Sequence, residues 1–242
     1  MVRVNLHEGD VAQAIASLAD DGITAVPHGL AKTALIVTDG ARRVRLSAAY
    51  ETGLVELQDG ASQAVVEALP LRNGQIVLDY CAGGGGKTLA IAAQADVSLF
   101  AYDANSARMQ DLPLRAARAK AHVRVLQADE LERHGPYDLI LCDVPCSGSG
   151  AWRRSPDAKW GLTAESLNEL NEIQDEVLVS AAQLVGPAGT LAYATCSVLD
   201  VENKDRIATF LQRHAEWSCT FEQSFALVDG GDGFYTAHLT RV

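Results

Sequence analysis

Apolar positions along the chain recur with two spacings that take turns. Residues 75–81, 98–103, 123–128, 137–143 and 190–196 are apolar runs of strand length, rich in Val, Leu, Ile and aromatic side chains. Between most of them lie stretches with helical spacing at 87–95, within 106–120 and at 164–185. In the longest, Leu167, Leu170, Ile173, Val177, Leu178, Ala181 and Leu184 form one stripe. Pro113 predicts a kink or a delayed start for the 106–120 helix. Strand–helix alternation of this kind builds a mostly parallel, doubly wound α/β sheet with right-handed crossovers. Residues 201–214 read as one more helix, and 220–225 and 234–242 as an antiparallel hairpin at the sheet edge.

The first part of the chain has a different pattern. Residues 3–6 suggest a short strand, and Val11, Ile15 and Leu18 recur at helical spacing before Gly22. Residues 34–38 and 44–48 suggest two strands about an Asp39-Gly40 turn. The chain therefore divides into a small α/β unit over residues 1–60 and a larger domain over 61–242. Composition adds exclusions. With 48% apolar and 21% charged residues the 242-residue chain is globular, not disordered. Its net charge of −11 argues against non-specific adhesion to polyanions. No apolar stretch is long enough to span a bilayer, and residues 1–10 lack a signal pattern, which points to the cytoplasm. Five cysteines with no CxxC pair read as free thiols and give no metal site.

The chemistry collects at strand ends, where open α/β sheets bind their ligands. The first strand of the larger domain runs into Asp79-Tyr80-Cys81-Ala82-Gly83-Gly84-Gly85-Gly86-Lys87-Thr88. Glycines there let the backbone press against a ligand and aim amides at it, although a tight strand-to-helix turn also needs them. Gly86-Lys87-Thr88 matches the end of a phosphate loop, but Cys81 stands where that pattern needs its first glycine. Asp103, Asp129 and Asp143 close or follow the next three strands. An acidic rim suits a ribose, an adenine and a cationic centre better than a triphosphate, and S-adenosylmethionine has all three. Cys146 and Cys196 follow what should be neighbouring strands, so both thiols should face one crevice. Carbon 5 of a pyrimidine becomes nucleophilic only after a thiolate adds to carbon 6. Such a reaction needs a nucleophile, an acid and a base at one place, and Cys196, Asp143 and Cys146 are available.

At these residues the chain resembles the RNA cytosine-5 methyltransferase family. The resemblance rests on DYCAGGGGKT, on DVPCSGSG followed by WRRSPDAKW, on TCS, on Glu202-Asn203 and on Asp232-Gly233-Phe234, and it extends back through GLVELQDGASQ to about Arg3. It implies a Rossmann-like methyltransferase fold, Cys196 as the nucleophile and Cys146 as the thiol that assists deprotonation and release. It also implies an S-adenosylmethionine site made by Cys81, Ala82, Gly83, Gly84, Gly85, Gly86, Lys87, Asp103, Asp129 and Asp143, with Asp143 holding the base at ring nitrogen 3. Gly84 departs from the family, which usually carries proline there. Bacterial members carry a helical RNA-binding domain ahead of the RVN segment, so the resemblance covers the catalytic part without it.

RNA contacts are expected from Arg153, Arg154 and Lys159, interleaved with Trp152 and Trp160, and from Arg42 and Arg43. Arg108, Arg115, Arg118 and Lys120 read as a solvated helix face. The expected partner is ribosomal RNA, in particular the 16S molecule or the small-subunit particle, met by a monomer. Two other functions fit parts of the chain: a non-catalytic ribosome-assembly factor that binds cofactor and RNA, and a phosphate-loop nucleotide hydrolase.

Overall fold

The computed structural model describes residues 1–227 and 230–242. Two sheets organise it. The first has the order β2-β3-β1-β4 and is formed by β1 (Val2–Val4), β2 (Thr24–Pro27), β3 (Ala34–Asp39) and β4 (Val55–Leu57). Helix α1 (Val11–Asp20) carries a capping box on Asp10 and buries Ala14 and Leu18 beneath this sheet, beside Val2, Val4, Leu35 and Val55. The expected strand at 44–48 is absent. Gly40 adopts φ 75°, a 3-10 turn occupies Ala41–Leu46, and α2 (Ala48–Glu51) follows from the Ser47 cap. Of its apolar side chains Val44 is buried and Leu46 is left exposed, so the run has no apolar face to lay on the core and a turn satisfies it better than a pleated strand. β3 pairs instead with β2 and β1.

The larger sheet has the order β10-β11-β9-β8-β5-β6-β7. Its parallel core is β5 (Ile76–Asp79), β6 (Ser98–Ala101), β7 (Val123–Val125), β8 (Tyr137–Asp143) and β9 (Val185–Thr195). β10 (Trp217–Phe225) and β11 (Phe234–Arg241) form the antiparallel edge hairpin that the apolar pattern predicts. The period of two along β8 explains the two-sided core. Leu139 and Leu141 face α3 (Gly60–Glu67) and α4 (Gly86–Ala92), while Ile140 and Cys142 face α7 (Ala164–Leu184) and α8 (Lys204–Arg213). Cys142 is thus a plain core residue.

Pro113 acts as predicted. A 3-10 turn fills Ser106–Met109, and α5 (Leu112–Arg118) starts with the proline in its first turn. The arginines of α5 are not a solvated face. Arg115 and Arg118 reach the buried Glu56 of β4 at 3.5 and 2.6 Å, and Arg118 lies 3.9 Å over the Tyr50 ring. Arg3 of β1, also buried, donates to Gln58 and to the Gly86 carbonyl oxygen. The small sheet is therefore fastened to the start of α4.

Candidate active site

The crevice opens at the carboxyl ends of β5, β6, β8 and β9. Its first wall is backbone. Gly83 and Gly85 have φ of 51° and 81°, a region that costs L side chains energy. A Cβ on Gly85 would stand 2.3 Å from Leu112 Cδ1. Gly83 N–H donates to Asp103 Oδ2 at 2.9 Å, and Arg108 pairs with the same oxygen at 3.2 Å. A cavity of about 260 Å3 lies here, lined by Tyr80, Cys81, Tyr102, Asp103, Pro145 and Val177 among others. Asp79, buried below the loop, accepts from Thr88 at 2.6 Å, and its other oxygen has no partner. Burial raises its pKa to about 7. Apolar walls and a carboxylate at the rim suit the base and sugar of S-adenosylmethionine.

The second wall holds the thiols. β8 and β9 are paired with Asp143 opposite Ala194, so the loops that follow them start side by side. Cys146 and Cys196 stand with their sulfurs 3.4 Å apart. The hydrogen bond between them lowers the pKa of Cys196 and raises that of Cys146. Lys87 places its ammonium 2.7 Å from Asp143 Oδ2, another residue of the expected cofactor site, and 4.7 Å from the centre of the Phe234 ring. At Cys196 the Asp143 carboxylate acts to raise the pKa and the Lys87 ammonium offsets it in part. An ammonium neutralised this way does not serve a phosphate loop.

Under the thiols lies a layer of which the sequence marked only Glu202, within the Glu202-Asn203 pair of the resemblance, and gave it no role. Glu202 and Gln174 are fully buried, and Ser147, Ser149 and Ser197 connect to them through hydrogen bonds. Gln174 interrupts the apolar stripe of α7, and that interruption was the available signal. Glycine also matters here. Gly150 N–H donates to the Cys196 carbonyl oxygen and Gly233 N–H to the Gly150 carbonyl oxygen, both at 2.9 Å. A Cβ on Gly150 would lie 2.0 Å from the Gly233 oxygen.

A family model described as 16S rRNA methyltransferase RsmB/F matches residues 66–240. The chain belongs to this family. Ribosomal RNA small subunit methyltransferase B of Photorhabdus laumondii is 33% identical over 256 residues, covering 99% of this chain and 59% of that protein. The Yersinia enterocolitica protein of the same name is 35% identical with the same coverage. The chain thus spans 59% of the length of these curated relatives. Among solved structures, PH0851 superposes with a TM-score of 0.89 at 29% identity, over 99% of this chain and 59% of that one. NSun6 from Pyrococcus horikoshii with SFG shares the fold, with a TM-score of 0.84 at 16% identity, over 100% and 90% of the two chains. The RsmB/F family uses S-adenosylmethionine.

The remaining predicted residues are dispersed. Asp129 follows β7 but its side chain is 73% exposed, ion-paired with Arg133, and does not line the cavity near Asp103. Arg153 and Arg154 do not project freely towards an RNA. Arg153 bridges Asp59 at 2.8 Å and Asp232 at 2.9 Å, and Arg154 grips the buried Asp232 through two nitrogens. Two buried or half-buried carboxylates claim them, which an isolated sequence does not reveal. Arg43 donates to the Gly22 carbonyl oxygen and closes the turn after α1. Arg42 is exposed. Lys159 lies 4.5 Å over the ring of Trp160, itself 79% exposed.

Proposed function

We propose that this chain methylates carbon 5 of cytosine in RNA, with 16S ribosomal RNA as the substrate, through a transient bond between Cys196 and the pyrimidine. The observation that carries this reading is the 3.4 Å thiol pair beside the Lys87–Asp143 ion pair, on the same crevice as the cavity lined by Tyr80, Cys81, Asp103 and Pro145. A methyltransferase acting on an amine or hydroxyl has no use for two thiols in contact. S-adenosylmethionine supplies an electrophilic methyl group when bound. Asp103 is suited to the ribose hydroxyls, and the backbone of residues 81–86 to the remainder of that molecule.

The residues divide the work as follows. Cys196, with its lowered pKa, adds its sulfur to carbon 6. The Lys87–Asp143 pair delivers a proton to nitrogen 3, where negative charge would otherwise accumulate, and takes it back when the thiol leaves. Carbon 5 is then electron-rich enough to be alkylated. Bonding of Cys196 to carbon removes the thiolate that raised the pKa of Cys146. Cys146 can then ionise and take the hydrogen from carbon 5 as a proton. The electrons of that C–H bond restore the ring double bond and the C6–S bond breaks, returning Cys196 as a thiolate.

To be reached, the base must leave any stack, which favours an unpaired nucleotide. Lys159, Trp160 and Arg42 remain free to meet the RNA; Arg153 and Arg154 hold the loop that presents Lys159. The reaction belongs to the cytoplasm, where ribosomal RNA is assembled. Incubation with S-adenosylmethionine and either extracted ribosomal RNA or small-subunit particles, followed by bisulfite sequencing, tests the reading. One protected cytosine that disappears with Cys196→Ala is expected. Methyl incorporation at a position that bisulfite still converts would contradict it.

A further inference from the structure

We infer that Glu202 is a positioning residue that sets the separation of the two thiols; the inference rests on the methyltransferase reading above. Glu202 ends a 3-10 turn, Asp200–Glu202, and is fully buried. One carboxylate oxygen accepts from Ser147 N–H at 2.8 Å and from Gln174 Nε2 at 3.1 Å. The other accepts from the Ser147 hydroxyl and from the Ser197 hydroxyl, each at 2.5 Å. Ser147 directly follows Cys146, and Ser197 directly follows Cys196. A single carboxylate therefore holds both thiol-bearing loops from beneath. Its partners are hydroxyls, an amide and a peptide N–H, so it is occupied by the loops themselves and not by a cation.

A carboxylate suits this task because it accepts only, with about four lone-pair sites. An amide in its place keeps one acceptor and gains a donating NH2. That NH2 turns either towards the two hydroxyls, which must then reverse, or towards the Ser147 N–H and the Gln174 amide, which leaves buried donors without an acceptor at a cost. Gln174 extends the strap, since its amide also donates to the Pro145 carbonyl oxygen at 2.9 Å, one residue before Cys146. The segments on both sides of Cys146 and the one after Cys196 are thus fixed to one point in the core. Glu202 touches neither sulfur and acts through the two serines.

The test reads the thiols directly. Equilibration of the full chain with reduced and oxidised glutathione converts the two thiols to a disulfide, with oxidised glutathione accepting both electrons and both protons. The resulting equilibrium gives the effective concentration of one thiol at the other. Glu202→Gln should lower it about tenfold or more, because at least one charge-assisted hydrogen bond to a thiol loop is lost. The same variant should slow trapping of 5-fluorocytosine RNA by a similar factor while leaving S-adenosylmethionine affinity within about twofold. A folded Glu202→Gln protein with an unchanged thiol equilibrium would overturn the inference. Should that variant not fold, the double variant Ser147→Ala/Ser197→Ala, which removes a hydroxyl from each loop and leaves the carboxylate, is expected to give the same drop; an unchanged equilibrium there overturns it equally. Because the thiol equilibrium involves no RNA, a wild-type chain that traps no cytosine while its thiol pair responds to Glu202 would sink the methyltransferase reading and leave the positioning role standing.

Discussion

At the end of β5 the crevice is shaped by what is missing, whereas at the ends of β8 and β9 it is shaped by what is buried. Glycines without Cβ atoms let the loop at 83–86 fold back under Arg108 and Leu112. On the other side Cys146 and Cys196 are held by Glu202, Gln174 and three serines, side chains whose positions follow from tertiary structure. A binding wall of peptide groups needs little beyond permitted backbone angles. A reacting pair needs its two sulfurs fixed to within a few tenths of an ångström, and a hydrogen-bonded core supplies that.

The contrast can be broken from either side. At fixed pH the largest effect is expected on the thiol side from Gly150→Ala, because the added carbon meets backbone from two other loops. A loss of about 3 kcal/mol in chemical denaturation is expected, with the thiols pushed apart. Gly85→Ala, on the cofactor side, combines an unfavourable φ with a clash against a movable leucine. About 2 kcal/mol of stability is expected to be lost, together with about tenfold in S-adenosylmethionine affinity measured by calorimetry. Trapping should stay bound to Cys196 in that variant, since the thiol side is untouched.

Asp79 sharpens the comparison through pH. Its folded pKa of about 7 lies above its ordinary 3.8, so between these values the folded chain holds a proton that the unfolded chain has released. Stability contributed in this way falls as pH rises through the window. Asp79→Asn should remove about 4 kcal/mol of the stability change between about pH 4 and 7, read from urea denaturation at several pH values. The smallest effects belong to the RNA surface. Lys159→Ala should weaken RNA binding a few-fold and reduce the salt slope by about one, whereas Arg154→Ala should leave the slope unchanged and loosen the 147–161 loop, read as faster hydrogen exchange.

Legibility in the sequence followed the same divide. The parallel sheet, the delayed start of α5 and the edge hairpin were visible because apolar spacing and proline report local geometry directly. Glycine runs announce a close backbone approach, and strand-end cysteines announce a crevice. The 3-10 turn at Ala41–Leu46 was not visible, since its short apolar spacing mimics a strand. The pairing of Arg153 and Arg154 with Asp59 and Asp232 spans contacts up to 94 positions apart, and no local pattern encodes it. Gln174 was hidden for a related reason: it is polar within a helical stretch and reads as a surface position until the fold buries it, and Glu202, marked only by the Glu202-Asn203 resemblance, gains its role the same way.

The central claim is that the sulfur of Cys196, and not that of Cys146, bonds to the base. Incubation with S-adenosylmethionine and RNA containing 5-fluorocytosine, followed by mass spectrometry of the crosslinked peptide, tests it most directly, because fluorine at carbon 5 blocks the release step. The account predicts the adduct on Cys196, its loss in Cys196→Ala and its persistence in Cys146→Ala. An adduct on Cys146, or one that survives removal of Cys196, would contradict it.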